Sequence, residues 1–269
     1  MVYFAREATE SYQRLGLRSQ AGYFASRSAP MGAVDPGTVI ATFFNFHPRL
    51  VRDAMAGVWD LAPPSLVLAA RLEAAGTALR RMLGAAVDGP EMERAAALAR
   101  RAAERASQRI EGRPLFAGHA GLDWPEPPHL VLWHAQTLLR EFRGDGHIAA
   151  LVTHDIGPVE ALVMHVASGE VPVGFLRDTR GWSDPEWEAG VERLRRRGWL
   201  QPAGAEVDAG DMVLALSEQG MAVRQEIEDA TDRLAVPAYE ALGDEGCAEL
   251  RKLTRPFSKA VVAAAGFGV

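Results

Sequence analysis

With 269 residues, 48% hydrophobic and 24% charged, the chain is globular in composition and holds one large domain or two of ordinary size. A formal charge of −6 and a sequence pI near 5.7 argue against a protein that coats nucleic acid or an anionic membrane. The single Cys247 excludes an internal disulfide and a cysteine-based zinc site. No apolar run reaches membrane-spanning length, and the opening MVYFAREATESYQRL lacks a signal-peptide core, so the expected location is the cytoplasm with no membrane partner.

Taken in order, the pattern predicts a helix at 10–20, a middle pair of short helices, a third helix at 64–75 and a long helix at 91–110. The Gly/Pro-rich run EGRPLFAGHAGLDWPEPP reads as a linker. A helix at 129–143 follows, broken at Gly144-Asp145-Gly146, and then a second pair of short helices. Residues 22–76 align on 146–198. Gly22-Tyr23-Phe24-Ala25 falls on Gly146-His147-Ile148-Ala149, Val51-Arg52-Asp53 on Leu176-Arg177-Asp178, Trp59 on Trp182 and Gly76 on Gly198. The expected organisation is a duplication: a first repeat at 1–110 that has lost its wing, a linker at 111–128, and a second repeat at 129–269. Its wing would fall at about 199–217 and be followed by C-terminal helices at 219–234 and from Asp244.

The best-punctuated stretch is 165–200. Ser183 with Glu186 three residues on forms a capping box, and Pro185 sits in the first turn, where a missing N–H costs nothing. Trp187, Val191 and Leu194 recur at helical spacing until Gly198 ends the helix. Two apolar runs around GAEVDAGD then predict a hairpin. Helices followed by a two-stranded wing predict a mainly α fold with a small β-wing, a tandem winged helix-turn-helix.

The run from VERLRRRGWL through LSEQGMAVRQEIEDATDRL to LGDEGCAELRKL resembles the second half of a MarR-type winged-helix regulator. The full-length layout is similar to an actinobacterial family of tandem winged-helix proteins regarded as regulators. The resemblance implies a ligand-responsive transcriptional regulator whose small-molecule pocket lies between the repeats. It also implies double-stranded DNA as a partner. The chain would act as a monomeric pseudo-dimer or as a homodimer.

The charges oppose part of that expectation. A recognition helix needs basic or amide side chains near its N-terminus, and here the first turns carry Asp184, Glu186, Glu188 and Glu192. Acids there suit the helix dipole, at about 0.3–1 kcal/mol each, but they would face a polyanion. Arg193, Arg195, Arg196 and Arg197 lie at the far end, and Arg193, Arg196 and Arg197 are the candidate DNA contacts. Binding of this kind would be weak and strongly salt-dependent. The equivalent helix of the first repeat, within APPSLVLAARLEAAG, is almost without charge.

Histidines and acids gather in the second repeat where the first lacks them: His147 falls on Tyr23, His154 on Pro30 and Asp155 on Met31. His147 and His154 share a helical face at a spacing of seven, as do His134 and Glu141. The candidate ligand set is Glu141, Arg143, Asp145, His147, His154, Asp155 and His165, with Asn45 and His47 from FFNFHP. Were the chain an enzyme, His147, His154 and Asp155 would be its catalytic residues. The bland alternative is that all of these are helix-surface or capping residues. No metal-ligand spacing, nucleophile elbow, phosphate loop or dinucleotide fingerprint is present, and no cofactor is expected. Phe43, Phe44, Phe46, Trp133 and Trp182 read as core. Two functions stay open, a ligand-responsive regulator and a winged-helix scaffold repurposed as a small-molecule enzyme or drug-binding protein.

Overall fold

The computed structural model describes residues 2–169, 173–201 and 214–264. Its elements are helical. In order they are α1 (Arg6–Arg14), α2 (Ser19–Ser28), α3 (Pro36–Phe43), α4 (Pro48–Met55), α5 (Val58–Leu61), α6 (Pro64–Leu83) and α7 (Pro90–Ala106). There follow α8 (Pro114–Ala120), α9 (Pro128–Thr153), α10 (Pro158–Ala167), α11 (Val173–Arg180), α12 (Asp184–Arg196), α13 (Glu218–Ala235) and α14 (Gly243–Ala264). None of the described helices is long and apolar enough to cross a membrane. The described residues divide into two compact units that interleave along the sequence. The first is Met1–Val39, Ala54–Asp145 and Ala235–Val269, and the second is Ile40–Asp53 with Gly146–Leu234.

In the first unit α7 presents an alanine stripe, Ala95, Ala99, Ala102, Ala103 and Ala106, all nearly inaccessible. So small a surface lets its partners approach closely, and Leu138, Phe142 and Phe116 fill the space beside it. Several predicted bounds shift. The chain at 10–20 is two helices, because Gly16 takes a left-handed φ of 80° between α1 and α2. The helix expected at 64–75 continues to Leu83, where Gly84 stops it. The stretch expected as a linker contains α8, which buries Leu115, Phe116 and His119.

The largest correction is in α9. Gly144-Asp145-Gly146 was expected to break it, yet the helix runs from Pro128 to Thr153. Two internal glycines cost about 1 kcal/mol each. Burial of Leu138, Phe142, Ala150 and Leu151 to either side offsets that at about 1.5–3 kcal/mol for each large side chain.

The second unit packs α10, α11 and α12 around Val163, Leu176, Trp187, Val191 and Leu194, with Ile227 of α13 closing the core. The capping box is present, and Gly198 follows α12 at a φ of 72°. Beyond it Leu200 pairs with Leu216 in an antiparallel bridge, and the Gln201 N–H donates to the Ala215 carbonyl at 3.0 Å. These pairs lie where the base of the expected hairpin would fall; residues 202–213, which would form the wing itself, lie outside the described residues. Ser217 accepts the Gly220 N–H at 3.0 Å and donates to the Gly198 carbonyl at 2.6 Å, so one hydroxyl both caps α13 and ties it to the end of α12.

Gly220 sits against the backbone of Trp199. A Cβ there would overlap the Trp199 carbonyl oxygen and lie 2.9 Å from its carbonyl carbon. Gly174, in α11, has nothing within 4 Å of the same position. Gly220→Ala should therefore destabilise by about 1–3 kcal/mol, as forced overpacking does. Gly174→Ala should be neutral or stabilising by about 0.5–1 kcal/mol. Chemical denaturation of both variants checks the contrast, and equal effects would contradict this packing.

Candidate functional site

The turn between α11 and α12 is held by the segment around His47. The Trp182 indole N–H donates to the Asn45 carbonyl at 3.0 Å, and the His47 N–H donates to the Arg180 carbonyl at 2.9 Å. His47 Nδ1 accepts the Arg49 N–H at 3.1 Å, which places the ring proton on Nε2, 3.0 Å from Glu186 Oε1. The other Glu186 oxygen accepts both the backbone N–H and the hydroxyl of Ser183. These bonds hold the Glu186 carboxyl below its usual pKa, with Ser183 the largest cause. The structure thus brings the predicted residues Asn45 and His47 together, as a buttress for the start of α12.

The outward face of α12 is acidic. Asp184, Glu188 and Glu192 are exposed, and Glu186 is half-buried. The three candidate DNA contacts differ in their commitments. Arg193 pairs with Glu160. Arg197 donates to the carbonyls of Asp155 and His154 and lies 3.6 Å over the Trp199 ring. Arg196 is exposed and has no carboxylate partner among the described residues.

His147 and His154 do share a face, and that face meets α13. Thr231 donates its hydroxyl proton to the Ile227 carbonyl at 2.8 Å, so it accepts from His147 Nδ1–H at 2.9 Å. His154 donates Nδ1–H to the Ala150 carbonyl at 2.8 Å, with Nε2 3.9 Å from Glu226. Asp155 does not join them. It takes a left-handed φ of 54° where α9 ends, and its carboxylate is fully exposed 3.8 Å from Arg197. His165 lies in the last turn of α10, half-buried. Such contacts clasp helices together; they do not converge as a nucleophile, base and orienting group would.

Glu141 and Asp145 belong to the first unit. Glu141 forms a buried ion pair with Arg27 at 3.0 Å, their side chains 4% and 8% exposed, and accepts from Arg140 at 2.6 Å. The Arg27 guanidinium also donates to the Tyr23 hydroxyl at 2.8 Å. Nearby Arg71 is buried without a carboxylate partner among the described residues. It lies 4.6 Å over the Trp133 ring and donates to the Tyr3 hydroxyl at 2.9 Å. Burial, then the charge of Arg71, holds His134 down at a pKa of about 4 and His119 well below the ordinary value, so both stay neutral. Arg143 lines an open cleft of about 480 Å³ with Arg140 and Arg251.

Sequence reasoning missed Arg27, Arg71 and His119. Arg71 had a signal, as the one basic residue in the apolar stretch 62–76. Arg27 had none, since its partner is 114 residues away. Among the described residues no group of three or more His, Cys, Asp or Glu side chains is placed to hold a metal ion.

A short helix, a three-residue turn, a capped second helix and a paired β-bridge beyond it are the parts of a helix-turn-helix protein. A helix-turn-helix family model matches residues 1–268, and the chain belongs to that family. Neither the curated proteins nor the solved structures contain a match.

Asp145 offers a pH test of the first unit. Its carboxylate accepts the Phe116 N–H at 2.9 Å, but burial dominates and pushes its pKa up to about 6. The folded state therefore holds a proton that the unfolded chain has released, and stability falls as pH rises from about 4 to about 6. His134 acts with the opposite sign over a similar range, so the comparison must be a difference. Relative to Asp145→Asn, the wild type should lose roughly 2–3 kcal/mol across that window. Parallel denaturation curves at every pH would contradict the burial of this carboxylate.

Proposed function

We propose that the protein is a cytoplasmic, DNA-binding transcriptional regulator of winged-helix type whose DNA contact is α12 and whose activity responds to a small molecule. The observation that carries this reading is the helix-turn-helix family match over the whole chain. The capped α12 and the Leu200–Leu216 bridge, at the positions a recognition helix and a wing base require, add to it. Duplication of the unit is part of the proposal. The order α2, α3, α4, α6 parallels α9, α10, α11, α12, and Trp59 and Trp182 each donate an indole N–H to a backbone carbonyl. Two such units in one chain supply what a dimer supplies elsewhere.

The second reading is a helix-turn-helix scaffold that has left DNA and serves as a small-molecule enzyme or binding protein. The exposed acids of α12 favour it. Fluorescence anisotropy with a promoter library at low salt separates the two. In the regulator, Arg196→Ala weakens binding across sequences and flattens the salt slope by about 1. Glu188→Lys tightens binding, by an amount that shrinks as salt rises. No binding of any duplex at low salt selects the scaffold reading.

A further inference from the structure

We infer that Arg71 and Trp133 form a binding site for a small monocarboxylate with a flat apolar body, and that Tyr3 plugs it. Arg71 is 4% exposed and has no carboxylate partner among the described residues. Its Nη2 donates to the Tyr3 hydroxyl at 2.9 Å, while its buried Nε has no hydrogen-bond partner among the described residues. Nε and Nη2 share one edge of a guanidinium, and that edge suits the two oxygens of a carboxylate. Arg94 uses it for Glu249, with both bonds at 2.7 Å, and Arg81 uses it for Glu7. A phenol brings one neutral oxygen, so Tyr3 fills half of the edge on Arg71 and leaves the charge unmatched.

The ring of Tyr3 marks the room a ligand would take. Its centroid is 6.5 Å from that of Tyr23 and 6.3 Å from that of Trp133, and the Arg71 guanidinium lies 5.7 Å away. The same guanidinium lies 4.6 Å over Trp133, so a flat body in place of the Tyr3 ring meets aromatic walls and a cation. The plug is lightly held. Val2–Phe4 is one turn of 3-10 helix with no buried residue, and Phe4 is 64% exposed. A monoanion matches the single charge of Arg71, whereas a dianion would leave a buried charge uncompensated. Tyr3, being tethered, competes at an effective concentration on the order of millimolar, which a charged two-oxygen contact outweighs.

The inference rests on the ligand-responsive part of the function proposed above and not on DNA binding. Its test therefore uses the full-length protein without DNA, and a failure to bind DNA leaves it untouched. The probe is phenylacetate, followed by titration calorimetry, with phenylacetamide as the neutral analogue of the same shape. Tyr3→Ala should bind phenylacetate saturably at one site, and the wild type, whose ring must first leave, about tenfold more weakly. Phenylacetamide should bind Tyr3→Ala about tenfold more weakly than phenylacetate does. Arg71→Met should lose phenylacetate binding, whereas Arg94→Met, whose guanidinium edge Glu249 already fills, should bind like the wild type. Tyr3 belongs to a turn with no buried residue, so the Tyr3→Ala and phenylacetamide arms decide the matter even if Arg71→Met does not fold. Absence of saturable binding by Tyr3→Ala would overturn the inference. So would equal affinity for the acid and the amide, or a Tyr3→Ala protein that binds no tighter than the wild type.

Discussion

The first unit depends on the pairing of Arg27 with Glu141. Both charges are out of water, so each is tolerable only while the other is in place, and removing one partner of such a pair costs about 3–5 kcal/mol. The bond joins α2 to the middle of α9 across 114 residues of sequence. Once α9 is fixed there, the rest of the unit follows from it. Trp133 lies beneath the Arg71 guanidinium, Phe142 packs on Phe116 with ring centroids 5.0 Å apart, and the Asp145 carboxylate holds the first turn of α8. Through these contacts a stretch with the composition of a linker becomes a packed helix.

The readable parts of the fold were those whose causes are local. The capping box at Ser183, the glycine after α12 and the spacing of Trp187, Val191 and Leu194 each act within a turn or two. So do the caps of α13 and the helical pattern of α14. What the sequence hid depends on distant partners. Gly144-Asp145-Gly146 carries every local sign of a break, and only burial on both sides keeps it helical. The run 111–128 reads as a linker because nothing local reveals that Phe116 has an aromatic partner in α9.

The candidate site was legible in the same partial way. Periodicity correctly put His147 and His154 on one face, and it could not say that the face meets Thr231 and Glu226 in α13. Comparison of the repeats grouped Asp155 with them, whereas a left-handed residue at a helix end turns its side chain away. Arg143, a member of the candidate ligand set, lines the cleft beside α14. The acidity of α12 was plain from the sequence and stands in the structure. Part of it is spent internally, Glu186 on Ser183 and His47 and Asp184 on Arg177.

The proposed function puts DNA contact at α12, in the second unit. Hydrogen–deuterium exchange with and without a bound promoter duplex measures this most directly, because it reports protection along the whole chain. The account predicts slowed exchange in 173–200, covering α11, the turn and α12, with the amides of 128–143 unchanged. Protection confined to α9 and α14, with α12 exchanging as in the free protein, would contradict it.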